Sequence, residues 1–244
     1  MVGDIFDDLA AEHAALDAVL AVLPDEAWSR PSGAAGWTVA DVMVHLAQTE
    51  ELAVAAAAGQ ILDWRRYGDN VDDAMDALVR SESGTAPEIL ARWRAAGRAC
   101  VSGLRQADPQ RRLPWVASTV KPATLATTRL AEHWAHALDI TGPLGIDYPD
   151  TARLRHVAWL GHSTLPYALG LSGSQPHAVY CELTAPDATV WTFGPPDADS
   201  SITGSAAAFC RVGAQRLAPE DSGLVVSGPH GGEALRALRN YAAT

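Results

Sequence analysis

Through roughly the first 140 residues, apolar positions recur every three or four places, the spacing of one buried helical face. Ile5, Leu9, Leu16, Val19, Leu20 and Leu23 predict a helix from about Asp4 to Leu23, stopped by Pro24. Trp28 and a Pro/Gly-rich connector from Pro31 to Gly36 follow. Thr38 is a natural N-cap, and Asp41 three positions on completes a variant capping box. Val39, Val42, Met43, Leu46 and Leu52 form the stripe of the helix that starts there, and Gly59 suits its C′ position. The segment from Gln60 to Thr85 mixes polar loop material with a short helix near Val71 to Val79. A third long helix is expected from Ala86 to Ala107, with Pro87 in its first turn and Ile89, Leu90, Trp93, Val101 and Leu104 facing inward. A loop from Asp108 to Val120, containing Leu113-Pro114-Trp115, leads to a fourth helix from Pro122 to Ile140, which Thr141-Gly142-Pro143 stops.

Beyond a Gly/Pro-spaced linker ending at Pro149 the period changes. Thr151 to Leu169 reads as a helix, and Val179 to Leu183 and Thr189 to Phe193 as strands joined by a Pro186-Asp187 turn. Ile202 to Leu217 reads as a helix, Gly223 to Ser227 as a strand and Glu233 to Tyr241 as a closing helix. The expected fold class is therefore α plus a small α/β unit. A four-helix bundle spans residues 1–148, and an α/β domain with order helix, strand, strand, helix, strand, helix spans 149–244. No internal repeat or low-complexity tract appears.

The 244 residues are 48% hydrophobic and 19% charged, the balance of a well-packed globular chain, and two domains are the better prior. The net charge is −11, nearly all positive charge is arginine, and Lys121 is the only lysine. With no basic face, nucleic acid and anionic membrane surfaces are poor partners. The alanine-rich, lysine-poor composition suggests a high-GC bacterial genome. Cys100, Cys181 and Cys210 are odd in number, widely spaced and without a C-x-x-C pair, so a reducing cytoplasm is expected and the thiols read as buried small residues. Asp4, Asp7 and Asp8 near the N-terminus do not resemble the basic start of a signal peptide. The apolar stretch Leu52–Gly59 is too short to span a bilayer. No feature of the acidic surface marks an oligomer interface.

Candidate chemistry concentrates on the fourth helix, in Arg129-Leu130-Ala131-Glu132-His133-Trp134-Ala135-His136-Ala137-Leu138-Asp139. Residues four apart lie on one face, so Glu132 and His136 project side by side, where a carboxylate and an imidazole can share an ion. His133 and His136, three apart, could also pair. A third donor must come from another helix, and His45, between Val44 and Leu46 in the second, is the candidate. Two histidines and a carboxylate leave coordination positions open, as in a catalytic zinc site, and iron, nickel or manganese could also fit. A histidine on an apolar face is as readily a satisfied core residue, and spacing alone does not decide between them.

At these residues the sequence resembles a known family. Gly36-Trp37-Thr38-Val39-Ala40-Asp41-Val42-Met43-Val44-His45-Leu46 and the stretch Arg129 to Asp139 resemble the two signatures of DinB-like bundles, in particular the mycothiol-dependent maleylpyruvate isomerase branch. The resemblance covers the whole chain. Arg155 to Gly161, Thr164 to Tyr167, Glu182 to Pro186, Trp191 to Gly194 and Ile202 to Gly204 resemble an uncharacterised metal-binding subgroup whose second domain is similar to a sterol-carrier-like α/β fold. It implies a metal triad of His45, Glu132 and His136, while His133, about a quarter-turn away on the helix, reads as a pocket-lining or solvated residue.

The resemblance implies a metal-dependent enzyme acting on a small-molecule substrate with a small thiol, plausibly mycothiol, whose sulfur the ion would bind and hold as thiolate for isomerisation or S-transfer. Zinc is the expected ion, with nickel or iron as alternatives. Arg129 is the candidate catalytic residue: it could pair with Glu132, hold a substrate carboxylate, or form a surface ion pair along the helix. Asp139 could orient His136 or face solvent. Trp37, Trp115 and Trp134 are candidates for the cofactor pocket, with core packing as the alternative for each. Two other functional readings are a metal-assisted tailoring enzyme that uses no thiol, and a binding protein for an apolar ligand with a non-catalytic metal.

Overall fold

The computed structural model describes residues 3–61, 63–116 and 118–241. Those parts of the expectations that touch Met1, Val2, Leu62, Ala117 and residues 242–244 lie outside them. The described residues fall into two compact units, 3–148 and 149–241.

In the first unit, Asp4 caps α1 (Ile5–Leu20) by accepting from the Phe6 N–H at 3.0 Å. A one-turn α2 (Asp25–Trp28) follows Pro24. α3 (Val39–Ala57) begins with both halves of the expected box: the Thr38 N–H donates to Asp41 Oδ2 at 2.8 Å and the Asp41 N–H to Thr38 Oγ1 at 3.2 Å. It ends before Gly59, whose φ of +85° is the left-handed turn that glycine permits. α4 (Val71–Arg80) lies against α3, and α5 (Ala86–Gln106) forms the bundle with α1, α3 and α6 (Pro122–Leu144). Leu9, Leu16, Met43, Leu46, Trp93 and Leu125 are at most 1% exposed and fill the centre. On α5 the inward face is Ile89, Trp93, Ala96, Gly97, Cys100 and Leu104, while Leu90 and Val101 are only half-buried.

Two local expectations are corrected. Leu113–Trp115 and Ser118–Val120 are not plain loop but the strands β1 and β2 of a small antiparallel hairpin, three residues each and too short for an alternating pattern to register. α6 does not stop at Ile140; it continues through Gly142-Pro143 and ends where Gly145 turns left-handed at φ +69°. A proline at position 143 withholds the N–H that would reach the Asp139 carbonyl. That carbonyl is instead satisfied by the Gly33 N–H at 2.8 Å, from the connector before α3, so continuing the helix leaves no carbonyl stranded there.

The second unit contains α7 (Leu154–Leu171), β3 (Tyr180–Thr184), β4 (Val190–Phe193), β5 (Ser201–Ser205), α8 (Ala206–Gly213), β6 (Val225–Ser227) and α9 (Gly231–Ala237). Its sheet runs β4-β3-β5-β6, with β3 parallel to β5 and the outer pairs antiparallel. The expected helix from Ile202 is corrected to a strand followed by a helix. Ile202 pairs with Cys181 in β3 and is fully buried, and Ser205 caps α8 by accepting from the Ala208 N–H at 3.4 Å. A short apolar run looks the same on a buried strand and on a helix, which is why the boundary was not visible. Among the described residues, no helix is long and apolar enough to cross a membrane.

Candidate metal centre

His45 projects from the middle of α3 and Glu132 and His136 from successive turns of α6. Glu132 Oε1 lies 3.1 Å from His45 Nε2 and 3.3 Å from His136 Nε2, and the three donor atoms lie within 4.8 Å of one another. Donors that share one zinc at its usual bond lengths sit about 3.1–3.5 Å apart, so the spacing suits a single ion. His45 and His136 are 5% and 9% exposed. The Glu132 side chain, 29% exposed, is the open side of the cluster.

The surroundings favour donation by His136. Its Nδ1–H donates to Asp139 Oδ2 at 2.9 Å, which turns Nε2 toward Glu132, ready to donate to an ion once its own proton is displaced. A carboxylate behind a ligating imidazole fixes its tautomer and raises its basicity. Asp139 is 2% exposed, so of its two expected roles it takes the orienting one and does not face solvent. His45 lacks a counterpart: among the described residues its buried Nδ1 has no hydrogen-bond partner. Its ring is held by packing instead, with the Trp37 ring centroid 5.1 Å away and the His136 ring 5.0 Å away. Trp37 is in turn fixed by its indole N–H donating to Asp76 Oδ1 at 2.7 Å, from α4. Thus the region around residues 60–85 contributes a helix that anchors one wall of the site.

Without an ion, the three groups titrate as a unit. Burial opposes ionisation of Glu132, but hydrogen bonds from His136 and His45 and the charges of His136 and Arg129 hold it well below the usual carboxylate range. Burial also opposes protonation of His136, but the bonds to Asp139 and Glu132 outweigh it and raise the imidazole to about 9. His45 is lowered, chiefly by burial. The cluster therefore holds one proton on His136 that a metal would displace.

Arg129 is 2% exposed, which rules out the surface ion pair. Its Nε donates to Glu50 Oε1 at 2.9 Å and its Nη2 to Thr49 Oγ1 at 2.7 Å, both on α3. Its close ion pair is thus with Glu50 rather than Glu132, although its charge acts on Glu132. Trp115, on β1, lies over the guanidinium at 5.8 Å. Trp134, 2% exposed, is enclosed in the bundle core.

Glu50, His13 and His133 form a second histidine–carboxylate group that the sequence reading missed. The available signal was Glu50 itself, an acid on the apolar stripe of α3, four residues after Leu46. His133 is completely buried, neither pocket-lining nor solvated as expected. Its Nε2 accepts from the Trp93 indole N–H at 3.0 Å, so Nδ1 carries the proton and donates to the Arg129 carbonyl at 2.8 Å. An imidazole with both nitrogens engaged has no lone pair for an ion, so this group is a buried ion-pair network. A cavity of about 350 Å³ between α1 and α5 reaches His13 rather than the cluster around His45.

Comparison with known proteins places these features in context. Residues 9–141 match the family model of the mycothiol maleylpyruvate isomerase N-terminal domain. Two proteins from Mycobacterium tuberculosis strains, both named only as uncharacterised, are 35% identical over 222 residues, covering 88% of this chain and 86% of theirs. Crystal structures of the mycothiol-dependent maleylpyruvate isomerase and of a single-site mutant share the fold, with TM-scores of 0.61 and 0.62 at 14% identity, over 92% of this chain and 95% of theirs. A helical unit of this architecture, with the family match extending over more than half of the sequence, identifies the chain as a member of the mycothiol maleylpyruvate isomerase N-terminal domain family.

Proposed function

We propose that the chain is an enzyme of small-molecule metabolism that uses a divalent ion, zinc in preference to nickel or iron, held by His45, Glu132 and His136. Its co-reactant would be a low-molecular-weight thiol such as mycothiol, in an isomerisation or S-transfer reaction in a reducing cytoplasm. The observation that carries this reading is the convergence of one carboxylate and two imidazole donors from α3 and α6, with Asp139 behind one of them. Membership of a family named for mycothiol maleylpyruvate isomerase supports the choice of reaction class.

A bound ion supplies concentrated positive charge that lowers the pKa of a neighbouring thiol or water. The protein's own groups do the rest. Asp139 keeps His136 in the donating tautomer. Glu50 and Thr49 hold Arg129 in the core, and its buried charge helps keep Glu132 ionised. Trp37 stacks near His136 and Trp115 lies over Arg129, so both would shape the surroundings of a cofactor, and Trp134 supports α6 from within the core. The buried cysteines are not alternative nucleophiles, because burial pushes the thiols of Cys100, Cys181 and Cys210 up, away from the thiolate.

The test is metal analysis of tag-free protein followed by thermal shift with zinc and mycothiol. The expected result is an ion that His45→Ala loses, and a rise in Tm on adding thiol that requires the ion. A total metal content that is the same in His45→Ala as in wild type overturns the site. A bound ion with no response to any small thiol favours metal-assisted tailoring chemistry, and a response to lipids alone favours a binding protein.

A further inference from the structure

The second unit contains a group of side chains that the proposed function does not use. His177 lies in the segment between α7 and β3, and His230 and Glu233 lie at the start of α9. One donor atom from each lies within 4.8 Å of the others. The two imidazoles are stacked face to face, with centroids 3.4 Å apart and planes 7° from parallel. Glu233 points one oxygen at His230 Nδ1, 3.7 Å away, and its other oxygen accepts from the Ser174 hydroxyl. The histidines line a cavity of about 340 Å³ together with Asp197, Asp199 and Ser200.

We propose that His177, His230 and Glu233 form a second metal site, independent of the one in the bundle and selective for a borderline transition ion such as zinc, copper or nickel. The donor chemistry decides the class of ligand. Two imidazoles and one carboxylate suit such ions, whereas magnesium and calcium prefer sites built of oxygen. Asp197 and Asp199 add negative charge to the same cavity, which favours a cation over an anion. The stacked rings are near the separation, about 3.4 Å, that two nitrogens have on one tetrahedral ion. In the parallel stack their lone pairs run side by side, so binding requires the rings to open like a book about their Cβ–Cγ bonds. The His230 and Glu233 side chains are 35% and 37% exposed, which leaves room for that rotation and for the ion to enter. The Ser174 bond holds Glu233 in place while the rings move. An ion there would tie the segment following α7 to the start of α9.

Titration of metal-free, tag-free full-length protein with zinc against a chromophoric chelator tests this, with cobalt absorption as a second readout. Wild type is expected to take up two equivalents. His177→Ala and His230→Phe, the second of which keeps an aromatic ring to stack, should each lose one equivalent and retain the one that His45→Ala abolishes. His45→Ala should retain the equivalent that His230→Phe abolishes, so failure of either site is distinguishable from failure of the other. Circular dichroism establishes that the variants are folded. Unchanged stoichiometry and affinity in folded His177→Ala and His230→Phe would overturn the proposal.

Discussion

The proton on His136 and the buried charge of Glu50 give the two clearest consequences at the scale of single residues. His136 has its imidazole raised to about 9 in the metal-free protein, above the ordinary histidine value of 6.5. A group whose pKa is raised on folding stabilises fully below its unfolded value and loses that contribution as pH climbs through its folded value. The Tm difference between metal-free wild type and His136→Gln should therefore be largest near pH 6.5 and shrink by pH 9.5. Zinc binding must expel the same proton, so its apparent affinity should rise roughly tenfold per pH unit up to about 9, the opposite slope. Thermal melts in a pH series measure the first, and isothermal titration at the same pH values measures the second. Glu50 is fully buried against Arg129, and removing one member of such a pair strands the other charge. Glu50→Ala should cost about 3–5 kcal/mol in urea unfolding, while the double variant Glu50→Leu, Arg129→Met should recover much of it. Neither partner of this pair was legible as such: the sequence singled out Arg129 but matched it with Glu132, because helical spacing reveals neighbours along one helix and not across two.

Individual elements were read more reliably, wherever a local signal fixes them. The start of α3 follows from Thr38 and Asp41, whose reciprocal bonds need nothing from the rest of the chain. Thr38→Ala should lower stability by about 1 kcal/mol, and because His45 lies two turns into that helix, the expected accompaniment is weaker zinc binding. Chemical denaturation and chelator competition on the same variant measure the two effects. The end of α6 was misread for the complementary reason. Pro143 is a stop signal only if its missing hydrogen bond goes uncompensated, and the compensating Gly33 comes from a connector more than a hundred residues earlier. The β1–β2 hairpin and the strand at Ile202 were hidden because their apolar runs are too short for a period to show.

For the molecule as a whole, sequence periodicity told which helical faces are buried but not which helix covers each. His45 was a candidate partner for Glu132 and His136 from its place in the second helix, the family resemblance made the three a triad, and the coordinates supply the distances. The same limit hid the stacked pair His177 and His230, which lie 53 positions apart and carry no shared motif. One consequence concerns biosynthesis. The His45–Glu132 contact closes a span of 87 positions in the chain. Until α6 has been made, the nascent polypeptide carries His45 without Glu132 and His136, so the three donors cannot yet gather. If the triad binds an ion as proposed, loading would follow synthesis of α6, and metal-starved copies would keep the proton on His136 until an ion entered past the solvent-facing edge at Glu132.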